Sequence, residues 1–285
     1  MVSKIVSLLH NSSVIRSTSE LLLGNLIAQG ILVASAPIIT RLYAPEEYGV
    51  LGTYSALVMV LSVIATLRYE LAILLPQQDE EAQQLATMAS TLTIIMSLAI
   101  GAILWVVALW INPEWLRPLR PYIGLLTLSI LFYGLSQVFI HYLMRRQQFR
   151  LQMHSSWVQA LTYVMIQLGG GMLRTGTIGL LVGQLAGQVV SALMLGRSLH
   201  YRRIGYKRFW ELARLYKHSS GYNMLTALIY ALQGSLPILL SAGLYSAKEV
   251  GWLALSLRIV ATPVQMLSTS LGRVYLSKAA ELARQ

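Results

Sequence analysis

The chain lacks cysteine and is poor in charged residues. Its 285 residues contain no Cys, and Asp, Glu, Lys and Arg together make up 12%, about half of their share in a soluble domain. The missing cysteine excludes disulfides, thiolate metal sites and a cysteine nucleophile. The 11 acidic residues and 5 His show no metal-ligand spacing and no nucleophile–base pair. We therefore expect neither an enzyme nor a cofactor.

Apolar residues are in excess instead. They make up 55% of the chain, and the mean hydropathy is +0.60. About 20 apolar residues are enough to cross a membrane as a helix, and eight stretches approach or exceed that length. They lie near residues 21–40, 50–67, 85–111, 122–144, 157–173, 178–195, 222–244 and 250–271. The sequence predicts an all-α, polytopic membrane bundle of about eight transmembrane helices.

Lys and Arg are concentrated on one side of the predicted membrane. With the N-terminus inside, the inner segments carry 16 of the 22 and the outer segments carry 5, and Arg258 lies within the last span. Because Lys and Arg collect on the cytoplasmic side, we expect a cytoplasmic N-terminus. The same bias accounts for the net charge of +11 without a nucleic-acid partner.

Part of the sequence recurs. Residues 42–51 (LYAPEEYGVL) and residues 244–253 (LYSAKEVGWL) are identical at five of ten positions at an offset of 202. Each copy follows a span that contains a proline, Pro37 or Pro237. Six predicted spans separate the copies, so both run in the same direction. This arrangement is typical of transporters built from two parallel repeats.

The repeat predicts the domain organisation. We expect a six-helix N-terminal lobe over residues 1–196, a linker over residues 197–218, and two helices of a second lobe over residues 219–285. If the lobes are equal, about four further spans are missing, so we expect a truncated or partial product.

The linker is the most basic segment. Its apolar residues recur at helical spacing and predict an amphipathic helix at the cytoplasmic headgroups; they are Phe209, Leu212, Ala213 and Tyr216. An ordinary positive-inside loop explains the charge equally well.

Three glycines recur every fourth residue in the sixth span. Gly179, Gly183 and Gly187 lie on one face and predict close packing of two helices. Gln184 and Gln188 lie on the adjacent face, where they are placed to hydrogen-bond within a bundle.

Two stretches carry a resemblance to a known family. Residues 37–76, which include PIITRLYAPEEYGVLGTYSAL and SVIATLRYELAILLP, resemble the N-terminal region of bacterial O-antigen-type oligosaccharide flippases. Residues 250–281 (VGWLALSLRIVATPVQMLSTSLGRVYLSKAAE) resemble the seventh-to-eighth helix region of the same proteins. They are lipopolysaccharide biosynthesis proteins of the multidrug/oligosaccharidyl-lipid/polysaccharide exporter superfamily.

The resemblance implies two lobes around a central cavity and alternating access. It implies transfer of a polyprenyl-pyrophosphate-linked oligosaccharide across the bacterial inner membrane. The implied partners are that lipid-linked oligosaccharide, membrane lipids and other polysaccharide assembly proteins.

Arginine is the expected partner of the pyrophosphate, because it stays charged and binds phosphate oxygens in bidentate fashion. Arg258 is the first candidate, since a charge deep in a span costs at least about 2.5 kcal/mol and needs a cavity or a partner. A hydrogen bond to backbone carbonyls near Pro263 is the alternative. Its counterpart in the first repeat is the uncharged Ala56.

Arg68, Glu70 and Arg273 are further candidates for the cavity. Arg68 follows the second span, where snorkelling to the headgroups explains it equally well. Residues two apart do not face each other on a helix, so Arg68 and Glu70 are not expected to pair. Arg273 ends the eighth span and fits either role. Arg41 is expected to anchor the first span at the interface.

Three other functions stay open. A drug exporter of the same superfamily favours intramembrane acids, which are scarce here. A membrane glycan polymerase or glycosyltransferase needs a large outer loop or an acidic motif. The last alternative is a non-transporting remnant.

Overall fold

The computed structural model describes residues 12–111, 113–199, 204–257 and 260. Every regular element in this part of the chain is helical, which confirms the all-α class. Arg258 and Arg273 lie outside the described residues, so their roles stay predictions.

The helices follow one another with short connections. They are α1 (Ser12–Leu42), α2 (Pro45–Thr66), the short α3 (Tyr69–Ala72), α4 (Asp79–Trp110), α5 (Ile123–Arg145), α6 (Phe149–Met172), α7 (Thr177–Gly196), α8 (Tyr206–Leu244) and α9 (residues 247–257), with a 3-10 segment at Glu114–Tyr122 before α5.

Six helices of the described part are long and apolar enough to cross a membrane, namely α1, α2, α4, α5 with most of the 3-10 segment, α7 and α8. The protein is therefore a polytopic helical membrane bundle, although about eight spans were predicted. The predicted fifth span forms α6, which is less apolar because it carries Gln152, Gln159 and Gln167. The predicted eighth span extends beyond the described residues.

The α1–α7 bundle is organised around α6 and α5. Helix α6 packs along α1 and α7, while α5 packs on α4, α7 and α2. The Tyr54 hydroxyl joins α2 to α5, since it donates to the Leu125 carbonyl at 2.8 Å and lies 2.6 Å from the Ser129 hydroxyl. Such a buried polar contact fixes the register of two otherwise apolar helices.

The glycines of α7 lie where this helix approaches α6. A Cβ at Gly183 would lie 2.7 Å from the Gln167 side chain, and one at Gly187 would lie 3.0 Å from the Gln159 carbonyl oxygen. A Cβ at Gly179 would lie 3.1 Å from the Cα of Gly170. These distances leave room for hydrogen only, so the two backbones approach each other closely.

Helix α8 differs from its prediction in two respects. It continues from Tyr206 to Leu244 as one 39-residue helix, through Gly234 and Pro237, so the predicted linker and the seventh span form one element. The apolar stripe that we expected at the headgroups packs on protein instead. Leu212 is fully buried in a cluster with residues of α3, α4 and α5.

Polar contacts hold this basic end of α8 against the start of α4. The Arg208 guanidinium donates to Gln84 Oε1 at 3.0 Å and lies 3.8 Å from Glu81 Oε1. The acidic first turn of α4 thus meets the basic segment of α8. The acids themselves are favourable at the positive N-terminal end of the α4 dipole.

Candidate functional site

One face of α2 carries three small polar side chains and one methionine. Ser55, Met59, Ser62 and Thr66 follow each other at intervals of four, three and four residues, and each lines a cavity between α2 and its neighbours. Ala227, Tyr230 and Ser235 of α8 line the opposite wall. We call this cleft the α2–α8 groove.

The first cavity of the groove lies at the end where α2 stops. It has a volume of about 160 Å³, and its wall includes Arg68, Glu70, Tyr133 and Gln137. The structure thus brings together two of the predicted site residues with two residues of α5 that the sequence analysis missed. In the sequence, the only indication of these two residues is that Tyr133 and Gln137 are one helical turn apart in the fourth span.

A left-handed break in the backbone creates this arrangement. Leu67 and Arg68 both have positive φ, 47° and 59°, a conformation that costs free energy for residues other than glycine. Helix α2 ends there, and the short α3 starts at Tyr69 in a new direction. Because of this break, Arg68 and Glu70 do not lie on one continuous helix, as the sequence analysis had assumed.

Arg68 and Glu70 form an ion pair, contrary to our expectation. Arg68 Nη1 donates to Glu70 Oε1 at 3.0 Å; the carboxylate side chain is 0% exposed and the arginine side chain 27%. The expectation assumed one continuous helix, on which residues two apart diverge. Within the described part of the chain, Arg68 Nε and Glu70 Oε2 are buried without a hydrogen-bond partner.

Helix α8 supports the break from the other side. The Ser220 hydroxyl donates to the Leu67 carbonyl oxygen, and the Tyr69 hydroxyl donates to the Ala213 carbonyl oxygen at 2.9 Å. Burial raises the pKa of Tyr69, so its hydroxyl remains a neutral donor. Movement of α8 relative to α2 would therefore act directly on the backbone that positions Arg68.

A second cavity occupies the middle of the groove. It has a volume of about 440 Å³ and a largely apolar wall that includes Leu51, Met59, Ile238 and Leu257. Met59 is 44% exposed, and its flexible thioether suits a surface that accepts apolar groups of different shapes.

The two repeats contact each other closely near the N-terminal end of α2, opposite the Arg68 cavity. A Cβ on Gly49 would overlap the carbonyl oxygen of Ala247, and a Cβ on Gly251 would overlap that of Pro45. Adding 202 to 49 and to 45 gives 251 and 247, so the contact is reciprocal, as in an interface across a two-fold axis.

The next pair of equivalent residues follows the same pattern. A Cβ on Gly52 would lie 2.8 Å from the Cβ of Ala254, and these positions are again 202 apart. Two helices cross here so closely that only glycine fits at the first crossing point.

The remaining predicted residues lie away from the groove or outside the described chain. Arg41 is exposed in the last turn of α1, at the end of the bundle that contains Gly49. Arg258 follows Leu257 of the groove wall but is itself not described. Among the described residues, no three His, Asp or Glu side chains form a group that could hold a metal ion.

The sequence was compared with known proteins. A family described as polysaccharide biosynthesis protein matches residues 38–285, most of the chain. The chain belongs to this family. It is thus a multi-pass membrane protein of polysaccharide biosynthesis, and the resemblance to that class is confirmed. No curated protein and no solved structure gives a significant match.

Proposed function

We propose that this protein is a flippase that moves a polyprenyl-pyrophosphate-linked oligosaccharide across the bacterial inner membrane by alternating access. It acts as a transporter rather than an enzyme, and its product feeds the assembly of a surface polysaccharide of the O-antigen type. Membership of the family supports a role in polysaccharide biosynthesis. The α2–α8 groove supports a role in transport.

The observation that carries the proposal is Arg68 in the wall of the groove. Its guanidinium binds Glu70 through Nη1, and among the described residues its Nε is buried without a partner. A phosphate oxygen that accepts from Nε would satisfy this donor, and hydrogen bonds to charged groups are worth about 1.5–3 kcal/mol. The pyrophosphate is the part of the substrate with this chemistry.

The proposed orientation places the Arg68 end of the groove in the cytoplasm. The bias of Lys and Arg favours it, and lipid-linked precursors are loaded from that side. The reciprocal contact at Gly49 and Gly251 then lies toward the outside. Arg258 and Arg273 are proposed as further cationic groups of the cavity.

The test is export of surface glycan by a deletion strain that carries the gene with Arg68 changed. We expect Arg68→Ala to reduce surface glycan about tenfold or more, because a charged hydrogen-bond donor is lost. Arg68→Lys should give an intermediate result, since lysine keeps the charge but not the guanidinium geometry.

Arg41→Ala is the matched control, because Arg41 is an exposed arginine at the other end of the bundle. It should support normal export at the same protein level. Normal export by Arg68→Ala at equal protein level would overturn the role of Arg68. Proteoliposomes with a fluorescent polyprenyl-pyrophosphate oligosaccharide separate transport from assembly: no translocation by the unaltered chain would contradict the flippase function.

The apolar middle cavity favours one alternative, a drug exporter of the same superfamily. Its exposed Met59 and its volume of about 440 Å³ suit an apolar compound of drug size. An exporter of this kind would confer resistance to lipophilic cations, and the deletion strain would keep its surface glycan.

A further inference from the structure

A third cavity lies between helices of the α1–α7 bundle and opens beside the groove. Its volume is about 430 Å³, and α1, α2, α5, α6 and α7 all contribute to its wall. Among the described residues, none in its wall is charged; its polar members include Asn25, Ser55, Tyr133, Gln159, Gln184 and Gln188. We call this cavity the amide pocket.

Gln188 is the most deeply buried polar group of the amide pocket. The residue is 5% exposed, and its Oε1 is buried without a hydrogen-bond partner in the part of the chain that the structure describes. Gln184, one turn earlier on α7, accepts a hydrogen bond from the Ser55 hydroxyl at 2.8 Å. A buried carbonyl oxygen without a donor costs free energy, so a ligand that supplies a hydroxyl would be stabilised there.

The close approach of α6 and α7 explains why the amides lie in the pocket. Gly187 permits the contact with the Gln159 carbonyl oxygen, and Gln184 and Gln188 flank that glycine on the same helix. The face of α7 that carries the two amides then forms the pocket wall next to α2.

The amide pocket adjoins the groove through shared residues. Ser55 and Tyr163 belong to the walls of both the amide pocket and the apolar middle cavity, and Tyr133 also belongs to the wall of the Arg68 cavity. One elongated molecule can therefore reach the Arg68 cavity and the amide pocket together.

We propose that the amide pocket binds one or two sugar rings of the transported glycan, in a subsite separate from the cationic site at Arg68. Neutral amides and hydroxyls match the donors and acceptors of sugar hydroxyls, and two tyrosine rings provide apolar faces for the ring carbons. The volume is in the range of small-molecule sites.

This inference rests on the proposed flippase function, and binding measurements distinguish the two. The purified full chain in nanodiscs is tested with two probes: polyprenyl pyrophosphate without sugar, and polyprenyl pyrophosphate that carries the oligosaccharide unit of the producing strain. The unaltered protein should bind the glycosylated probe more tightly. If it binds neither probe, the flippase function itself fails.

The decisive variant is Gln188→Leu, which removes the amide and keeps the approximate volume. We expect about fivefold weaker binding of the glycosylated probe and unchanged binding of the sugar-free probe. Gln184→Leu should act in the same direction; since Gln184 is only partly buried, it tests the subsite even if Gln188→Leu fails to fold. Arg68→Ala is the matched contrast and should weaken both probes.

Three results overturn the proposal. Unchanged binding of the glycosylated probe by both glutamine variants would mean that the pocket holds only water. Equal weakening of both probes would mean that the glutamines act through the shape of the bundle. Sodium-dependent binding that is lost in the variants would identify an ion site instead.

Discussion

The two copies of the repeat form the same corner, in different surroundings. In the first copy, Glu47 Oε2 accepts the backbone N–H of Ala44 at 2.7 Å. In the second, Glu249 Oε2 accepts the backbone N–H of Ser246 at 2.8 Å and the Ser246 hydroxyl at 2.9 Å. A glutamate three residues after the N-cap stabilises a helix start in this way, so the corner is a local property of the sequence.

The tyrosine of the corner has a different environment in each copy. Tyr43 is 5% exposed, and its hydroxyl donates to the Gln167 carbonyl oxygen at 2.6 Å. Burial raises the pKa of Tyr43 to about 12, and the charge of Glu47 adds to this effect. Tyr245, at the equivalent position, is 61% exposed. The first corner is thus packed into a bundle by α6, whereas no described helix covers the tyrosine of the second.

The largest expected effect comes from the crossing point of the two copies. Gly49→Ala and Gly251→Ala should each separate α2 from α9 and destabilise the protein by about 1–3 kcal/mol through overpacking. Both should also reduce glycan export, because the close contact of α2 with α9 is lost. The measurements are thermal unfolding in detergent and surface glycan in the deletion strain.

Gly243→Ala is the control for this pair. Gly243 lies near the end of α8, and a Cβ there meets nothing within 4 Å, so this variant should be unchanged or slightly more stable. A clear difference in stability between Gly49→Ala and Gly251→Ala would contradict a reciprocal contact.

A smaller effect is expected from the two tyrosines. Tyr43→Phe should lower the free energy of unfolding by about 1 kcal/mol, the net value of one buried hydrogen bond. Tyr245→Phe should change it by less than about 0.5 kcal/mol, as at other exposed positions. Denaturant titration of both variants measures the difference; equal effects would show that Tyr245 is covered in the membrane.

The smallest effect concerns the cap of α9 and its dependence on pH. The hydrogen bonds from Ser246 lower the pKa of Glu249 below its ordinary value of 4.5. The capping contribution is therefore fully present above pH 4.5 and is lost as the pH falls through the lowered pKa. The protection of the amides of residues 246–250, taken as exchange relative to the intrinsic rate at each pH, should fall at acidic pH, and Glu249→Gln should remove this dependence. Protection with the same acid dependence in the variant would contradict the assignment.

The sequence predicted the class and most of the spans because a span is recognised from consecutive apolar residues, without knowledge of its neighbours in space. It placed the ends of α5 and α7 within two residues. The sequence did not predict which helices pack against each other. The amphipathic pattern around Leu212 is the same for a helix that faces lipid and for one that packs on protein. Only the positions of α3, α4 and α5 show that this stripe packs on protein.

The candidate site was only partly predictable for the same reason. Arg68 and Glu70 were recognised as charges beside a span, but their pairing depends on the left-handed residues Leu67 and Arg68, and neither position is a glycine that would have signalled a break. Tyr133 and Gln137 are distinguished in the sequence only by their helical spacing. They line the Arg68 cavity because α5 packs against α2.

The sequence by itself determined the helical membrane class, the family and the repeated corner, because these follow from apolar length, residue identity and hydrogen bonds between near neighbours. The tertiary structure alone decided which residues face the groove, the pairing of Arg68 with Glu70, and the contact of Gly49 with the second repeat. Those features depend on residues up to about 200 positions apart, and only packing in three dimensions brings such positions together.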